Sequence, residues 1–408
     1  MLEKIEVGRK ILKQLNTNSY QAYFVGGMVR DLLLGREIHD IDIATNALPE
    51  EVMQIFPKSI PTGLKHGTVT IVEEGVPFEV TTFRKEGKYL DYRHPSHLEF
   101  VSSLVEDLKR RDFTINAMAM DVNGLLIDPF QGQAALKSRL VISVGKPKDR
   151  FLEDPLRIMR AIRFASQLQF QIEEETKQGI LEVGSYLQYI AMERIKSEMD
   201  KIMASENPGY GISGLFELGL IQYIRGLKDT RFISLYPKEL SELLSKTSDV
   251  LLRWVIIFYF LKEEERLFLL SEMKFSKKEQ VKINKIFSAL TMMQGGIQLI
   301  QLKRCLVELD FQSCSKAIEM TWMLGQISEE ERLYWQQKLL YTDQDLKVRK
   351  IKDLAITGND LLQFFNRPGG PWIRELLEEL FEQVVYGQLL NDPKILLKKS
   401  LELKGDQK

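Results

Sequence analysis

Two aspartates lie two residues apart in the segment HDIDIAT, whose alternation of polar and apolar residues is typical of a β-strand. On a strand, Asp40 and Asp42 would point to the same face, with their carboxylates within a few ångströms of each other. Like charges at that separation require a cation. Rigidly held oxygen ligands suit Mg²⁺, which can bridge phosphate oxygens and activate an attacking hydroxyl. The alternative is a solvated strand edge. Glu79, in the segment PFEVTTF, is either a third carboxylate of this site or an ordinary surface residue.

A glycine pair follows the first short apolar run, in the segment VGGMVRD. Because Gly26 and Gly27 have no Cβ, a ligand can approach the backbone closely there. Exposed amide groups at the start of the following helix, together with Arg30, could hold a phosphate. The alternative is an ordinary tight turn from strand to helix. The segment is not a Walker loop, because no Gly-Lys-Ser/Thr follows.

Three arginines recur at intervals of three residues in the segment EDPLRIMRAIRFA, where Arg157, Arg160 and Arg163 follow Asp154. Steps of three residues keep side chains in contact along one stripe of a helix. Guanidinium groups this close repel one another and lose rotamer freedom unless an anionic or hydrogen-bonding group faces them. The alternative is a solvated helix face that begins with a good Asp-Pro cap.

Hydrophobic periodicity divides the chain into two regions with different predicted secondary structure. Up to about residue 150, short strand-like and helix-like segments alternate, with hairpins predicted around Glu73-Glu74-Gly75 and around Asn123-Gly124. From about Arg150 to the end, long helical patterns rich in Leu, Glu and Lys take over. The sequence therefore predicts an α/β head built on a small sheet, followed by an all-α remainder.

The composition excludes several classes of protein. With 408 residues, 28% charged and 44% hydrophobic, the chain is long enough for two to four folded domains and too apolar to be mostly disordered. Its net charge of −1 does not by itself indicate a nucleic-acid partner. Cys305 and Cys314 have neither zinc-site spacing nor the density of a disulfide framework. No apolar run approaches the roughly 20 residues that span a bilayer, and we expect a cytoplasmic protein without a signal peptide.

The order of these motifs resembles that of the class II tRNA nucleotidyltransferases, the CCA-adding enzymes of the polymerase β superfamily. Each motif is weak alone, but the ordered series over Tyr20 to about Met203 is specific. Two later segments, TGNDLLQFF and GPWIRELLEELFEQVV, resemble the helical tail of the bacterial enzymes. The series comprises VGGMVRD, HDIDIAT, the strand with Glu79, RRDFTINAMAM, LIDPFQGQ, EDPLRIMRAIRFA and ERIKSEM. One departure is Gln131, where the resemblance predicts a glycine.

The resemblance implies an elongated, seahorse-like molecule whose polymerase β-like head is followed by an all-α neck, body and tail. We expect a catalytic head at residues 1–148, a neck at 149–208, a body at 209–296 and a tRNA-binding tail at 297–408. The implied substrates are the 3′ end of tRNA, CTP and ATP, and the implied cofactor is Mg²⁺. A homodimer is an open expectation, and no membrane is involved. The implied site residues are Asp40, Asp42 and Glu79 for catalysis, the first two as metal ligands, and Gly27, Arg30, Arg111, Asp154, Arg157, Arg160 and Arg163 for the nucleotide.

Hydrogen-bonding chemistry explains what Asp154 and Arg157 could do together. Cytosine and adenine each present an amino donor beside a ring-nitrogen acceptor, whereas uracil and guanine present a carbonyl acceptor beside an N–H donor. An ionised aspartate only accepts and an arginine only donates. The pair therefore matches C and A and is mismatched to U and G. Arg160 and Arg163 extend the stripe and could meet phosphates or fix Asp154.

Four functions remain distinguishable on this sequence. The favoured one is complete, template-independent addition of C, C and A. The others are a bacterial poly(A) polymerase, a partial enzyme that adds only CC or only A, and an inactive RNA-binding module. The intact Asp40/Asp42 pair argues against the inactive module, and the tail resemblance argues against the poly(A) polymerase. The full length of the polar segment KEGKYLDYRHPSHLEF argues against CC-only addition, because in this family a shortened loop accompanies that activity.

Overall fold

The computed structural model describes residues 2–38, 40–87, 97–230, 232 and 237–405. The chain forms two compact units. The first comprises Met1–Val250 and Phe260–Lys274, and the second comprises Leu251–Tyr259 and Phe275–Lys408. The finer division into head, neck, body and tail stays a prediction. Residues 88–96 of the polar segment that bears on CC-only addition lie outside the described residues.

Within the described residues, the largest sheet has seven strands in the order β3-β4-β5-β2-β1-β8-β9. β1 pairs antiparallel with β2 and β8, and β2 pairs in parallel with β5. Both predicted hairpins are present, as β4–β5 and β8–β9. The parallel pair β10–β11 places one short strand inside the otherwise helical part. The strands are β1 (Ala22–Val25), β2 (Asp42–Thr45), β3 (Ser59–Gly63), β4 (Thr68–Glu73), β5 (Val76–Thr82), β6 (Arg84–Glu86), β7 (Leu98–Phe100), β8 (Ala119–Met120), β9 (Leu126–Ile127), β10 (Leu140–Val141) and β11 (Gln171–Ile172).

Helices cover the sheet and make up most of the chain after residue 147. Their bounds are α1 (Leu2–Thr17), α2 (Gly27–Leu33), α3 (Pro49–Ile55), α4 (Leu104–Lys109), α5 (Gly132–Ser138), α6 (Pro147–Glu153), α7 (Leu156–Leu168), α8 (Glu174–Val183), α9 (Met192–Met203), α10 (Pro208–Glu217), α11 (Pro237–Ser245), α12 (Val250–Tyr259), α13 (Glu263–Glu272), α14 (Lys277–Met292), α15 (Leu299–Glu308), α16 (Phe311–Met323), α17 (Glu329–Asp345), α18 (Gly358–Phe365), α19 (Pro371–Val385) and α20 (Pro393–Gly405). None of the helices in the described residues is long and apolar enough to cross a membrane.

The three arginines lie on one helix, α7, and the first residue of their segment, Glu153, ends the preceding helix. α6 ends at Glu153, and Asp154 adopts an extended conformation with φ −145° and ψ 98° before α7 begins. Pro155 disfavours the helical conformation for the residue before it, which explains the break. Asp154 therefore lies at the joint between the two helices, directly before the arginine stripe of α7.

The two cysteines correct one expectation from the sequence. Cys305 on α15 and Cys314 on α16 are bonded as a disulfide and are fully buried. Their Cα atoms lie 6.2 Å apart, within the range that a disulfide bridges. Nine-residue spacing alone did not indicate this pairing, because it depends on how the two helices pack against each other.

Candidate active site

The glycine pair lies at the end of β1, directly beside the first residue of β2. Val25 is paired with Asp42 in the antiparallel register, so the turn that follows β1 begins next to the Asp42 carboxylate. Gly26 has φ 72° and ψ −133°, a conformation that is essentially restricted to glycine. A Cβ on Gly26 would lie 2.9 Å from Nη1 of Arg111 and 3.7 Å from Oδ2 of Asp42. A side chain at this position would therefore crowd Arg111 and adopt a backbone conformation that only glycine tolerates well.

The three predicted carboxylates lie on neighbouring strands or just before them. Asp42 is the first residue of β2 and is in register with Glu79 on β5. Asp40 precedes the strand and is exposed, as is Glu79. Burial, and then the negative charge of Glu79, raise the pKa of the Asp42 carboxyl group, while Arg111 opposes the rise and Asp40 adds to it. The site therefore carries negative charge that a bound cation would stabilise.

A metal ion fits this arrangement only with help from a substrate. Among the described residues, no group of three or more His, Cys, Asp or Glu side chains is placed to hold a metal by itself. Mg²⁺ in nucleotide-processing enzymes is usually held by one or two carboxylates together with substrate phosphates. Asp40 and Asp42 supply that number of carboxylates, and the raised pKa of Asp42 indicates that its charge lacks a full partner.

One cavity of about 610 Å³ collects most of the predicted nucleotide-binding residues. Eight arginines and four acidic residues line it among the described residues, so its lining is strongly positive, as an anionic ligand requires. Asp40 and Glu79 are not part of the lining. The predicted residues that do line it are Gly27, Arg30, Asp42, Arg111, Asp154, Arg157, Arg160 and Arg163.

Asp154 and Arg157 are each held in place by a partner that the sequence did not reveal. Arg194, on α9, donates to both carboxylate oxygens of Asp154 at 3.2 and 2.8 Å. Oδ1 of Asp154 also accepts a hydrogen bond from the backbone amide of Leu156 at 3.1 Å, which is the predicted helix cap. Arg157 donates to Glu153 at 2.7 Å and to the backbone carbonyl of Arg110 at 3.2 Å. The pair is thus oriented before any ligand arrives.

The other two arginines of the stripe have separate buried partners. Arg160 donates to Asp112 at 2.6 Å. Burial disfavours the charge on Asp112, but the Arg160 charge and the hydrogen bond from Asn116 outweigh it and lower the pKa of Asp112 to about 2. Arg163 lies 3.2 Å from Glu198, without hydrogen-bond geometry. Burial, and then repulsion from Arg160, lower the pKa of Arg163 to about 10.

Arg30 and Arg111 approach the glycine turn from two sides. Arg30 donates to Asn116 at 2.7 Å and to Asp31 at 2.8 Å. Arg111 donates to Asp107 at 3.3 Å, and its buried Nε has no hydrogen-bond partner in the described part of the chain. Burial lowers the pKa of Arg111, and the neighbouring Asp107 charge opposes this. Two guanidinium groups beside a glycine turn, one of them with an Nε that is unpartnered among the described residues, are suited to bind phosphate oxygens.

Several supporting residues were missed although their segments had been noted. Asp112 and Asn116 lie in RRDFTINAMAM, and Arg194 and Glu198 lie in ERIKSEM. For Glu198 the available signal was a charged residue on an otherwise apolar helix face, because buried charges are rare unless paired. The partners of Arg194 and Glu198 depend on the packing of α9, and those of Asp112 and Asn116 lie on α7 and α2.

Three family models match the chain. They are the poly A polymerase head domain at residues 22–142, the probable RNA and SrmB-binding site of polymerase A at 169–229, and a putative tRNA nucleotidyltransferase domain 2 at 246–399. The first covers the strands, the glycine turn and the carboxylates of the site. The second begins just after α7.

Known proteins resemble the chain over nearly its whole length. It is 41% identical to the CCA-adding enzyme of Geobacillus sp. (strain WCH70), with 96% of this chain and 95% of that protein covered. It is 37% identical to the CCA-adding enzyme of Bacillus cereus (strain B4264), with 96% of each covered. A crystal structure of the Bacillus stearothermophilus CCA-adding enzyme in complex with CTP has a TM-score of 0.85, 33% identity and 98% coverage of both chains. The chain therefore belongs to the bacterial class II tRNA nucleotidyltransferases, the CCA-adding enzymes of the polymerase β superfamily.

Proposed function

We propose that this enzyme adds C, C and A stepwise to the 3′ end of tRNA, using CTP and ATP and releasing pyrophosphate. The observation that supports this most directly is the composition of the 610 Å³ cavity. It holds the Asp42 carboxylate, the Arg30 and Arg111 guanidinium groups, and the Asp154/Arg157 pair in one space. A nucleoside triphosphate presents a group complementary to each of these: the reacting phosphorus, the anionic tail and the base edge.

The triphosphate is bound by the positive groups around the glycine turn. Arg30 and Arg111 approach Gly27 and Gly26 respectively, and the absence of side chains there leaves room for phosphate oxygens. Arg160 and Arg163 extend this positive surface along α7. In the reaction, the 3′-hydroxyl of tRNA attacks the α-phosphorus in line and pyrophosphate leaves. The arginines stabilise the charge on the leaving group while holding the nucleotide in position.

The carboxylates Asp40 and Asp42 would hold a divalent cation, which we propose is Mg²⁺. When bound, the metal activates the attacking hydroxyl and neutralises phosphate charge. Glu79, in register with Asp42 and exposed, is placed to act as a further carboxylate of the catalytic group. Burial and then the charge of Glu79 raise the pKa of Asp42, and the influence of Glu79 on this carboxyl group supports the assignment.

Base selection resides in Asp154 and Arg157 and not in a nucleic-acid template. The carboxylate accepts from the amino group of C or A, and the guanidinium donates to the neighbouring ring nitrogen. Arg194 and Glu153 keep both side chains oriented for this contact. U and G would present a carbonyl to the carboxylate and an N–H to the guanidinium, leaving both groups unsatisfied.

Product lengths test the proposed function. The protein is incubated with Mg²⁺ and tRNA transcripts that end before CCA or after CC, with each nucleotide alone or in pairs. We expect two additions from CTP alone, three from CTP with ATP, one from ATP on the CC-ending transcript, and none from UTP or GTP. Long A tracts would indicate a poly(A) polymerase. Two additions without a third would indicate a CC-only enzyme, and no addition would indicate an inactive module.

The oligomeric state and the location are separate expectations. Sedimentation of the same sample tests the expected homodimer, and we expect a cytoplasmic location.

A further inference from the structure

An aromatic ring lies at the centre of the positive end of the cavity. Phe164, on α7, lines the cavity and is 5% exposed. Three guanidinium groups lie around its ring, with their central carbons 4.3 Å (Arg163), 5.1 Å (Arg30) and 5.5 Å (Arg160) from the ring centroid. Arg30 comes from α2 and the other two from α7. The ring of Phe164 is therefore close enough to interact with all three guanidinium groups.

Three positive charges around one ring repel one another, although each has one carboxylate within ion-pair distance. Asp112 pairs with Arg160 and Asp31 pairs with Arg30, but Glu198 faces Arg163 without a hydrogen bond. Burial, and then repulsion from Arg160, lower the pKa of Arg163. The aromatic ring is a further group that can stabilise these cations in the absence of an anion.

The ring stabilises cations in a way that leaves them able to bind an anion. The face of a phenylalanine ring carries partial negative charge and attracts guanidinium groups within about 6 Å. Unlike a carboxylate, it does not occupy the N–H donors at the edge of the guanidinium and does not cancel its charge. Arginines held by a ring therefore keep both properties that a phosphate group requires.

We propose that Phe164 is a positioning residue that holds Arg30, Arg160 and Arg163 as a preformed clamp for the triphosphate of the incoming nucleotide. The inference rests on the proposed function and adds a residue to it. The contrasting role is purely structural, because the ring also packs edge-on against Phe113 with centroids 5.7 Å apart. The two roles differ in whether the effect of a substitution depends on the number of phosphates in the ligand.

The test uses equilibrium binding of CMP, CDP and a non-hydrolysable CTP analogue to the full chain, so it does not depend on catalysis. Phe164→Leu removes the aromatic face but keeps an apolar side chain, and Phe164→Tyr keeps the face. Phe113→Leu is the matched control, because it removes an equally buried ring that contacts Phe164 and no guanidinium in the described structure. Thermal melting of each variant measures the structural cost separately.

We expect Phe164→Leu to weaken the CTP analogue by about 5- to 50-fold, with a smaller effect on CDP and none beyond about twofold on CMP. Phe164→Tyr should bind all three ligands within about threefold of the unsubstituted protein. Phe113→Leu should lower the melting temperature without a dependence on phosphate number.

An equal loss for all three ligands, or a loss in Phe113→Leu that matches Phe164→Leu, would overturn the inference. So would an unsubstituted protein that binds the CTP analogue no more tightly than CMP. If Phe164→Leu does not fold, Phe164→Tyr together with Phe164→Met still separates the aromatic face from side-chain volume, and equal affinities in those two variants also overturn it. A failure of nucleotide addition with the phosphate dependence intact would instead contradict the proposed function.

Discussion

Replacing Asp154 with asparagine tests the protein template with the smallest possible change in shape. The carboxylate is 17% exposed and accepts hydrogen bonds from Arg194 and from the amide of Leu156. An asparagine can keep the bond from Leu156, since it is as good a helix cap as aspartate. Its amide nitrogen would then occupy the position of Oδ2, where a donor replaces the acceptor that faces Arg194 and, under the proposed function, the base.

The expected change in selectivity follows from counting hydrogen bonds. For CTP, the Asp154→Asn variant loses a bond between the amino group of cytosine and an ionised acceptor, which is about 1.5–3 kcal/mol. For UTP, the new donor gains a bond to the carbonyl of uracil, which is about 0.5–1.5 kcal/mol. The preference for C over U should fall by about 2–4.5 kcal/mol, a factor of about 30 to 1,600.

The assay is single-turnover incorporation of CTP and of UTP on a tRNA that ends before the first C. Asp149→Asn is the control, because Asp149 is an exposed residue of α6 outside the cavity lining, and it should leave the ratio unchanged. A thermal melt of both variants detects a loss of structure. A folded Asp154→Asn variant whose C-to-U ratio stays within about threefold of the original would refute the assignment of Asp154 as the base-reading acceptor.

Three further predictions concern the turn, the carboxylates and acid stability. Asp42→Asn should slow single-turnover addition by about 10³- to 10⁴-fold, since the metal-assisted step depends on this carboxylate. The melting temperature without metal should stay equal or rise, because the raised pKa of Asp42 indicates that its charge is destabilised. A lower melting temperature with near-normal addition would contradict this prediction. Gly26→Ala should lower the free energy of unfolding, measured by denaturant titration, by about 1–3 kcal/mol. It should also weaken CTP binding, because the added Cβ displaces Arg111. Unchanged binding would mean that Arg111 does not contact the nucleotide. The pKa of Asp112 is lowered from 3.8 to about 2, so its charged form should contribute about 2 kcal/mol to the free energy of unfolding above pH 4. This contribution should be lost as the pH falls from about 4 to about 2. If Asp112→Asn shows the same steep loss of stability over that range, other carboxyl groups are responsible for the loss.

Helices and hairpins that begin or end at a proline, a glycine or an asparagine could be predicted from the neighbouring sequence alone. Pro49 opens α3, and the Asn123-Gly124 and Gly75 turns join the predicted hairpins. Gln131, directly before α5, adopts a left-handed conformation with φ 60°. Glycine favours this conformation, which is consistent with the glycine that the family resemblance predicts at this position. These features depend on backbone conformations that a few residue types favour. They can therefore be predicted without knowing the tertiary fold.

The start of β2 was misplaced by two residues for a related reason. The alternation of HDIDIAT predicted that Asp40 and Asp42 both lie on the strand, but β2 begins at Asp42. Strand ends depend on which neighbours supply hydrogen bonds, and here Asp42 is paired with Val25 on one side and Glu79 on the other. Neighbour pairing is a property of the sheet, so the pattern of one segment cannot determine it.

The arginines of α7 show most clearly where sequence reasoning ends. Their spacing predicts one stripe with one kind of partner, but each meets a different group: Glu153 on α6, Asp112 after α4, and Glu198 on α9. The partners differ because α7 is packed against several elements, which surround its stripe in turn. Only Arg163 lacks a hydrogen bond to its carboxylate, and it is also the closest of the three guanidiniums to the ring of Phe164. Under the proposed function, identical residues at equal spacing would therefore contact a base edge and phosphate groups from a single helix, and the packing around each arginine decides which of these it meets.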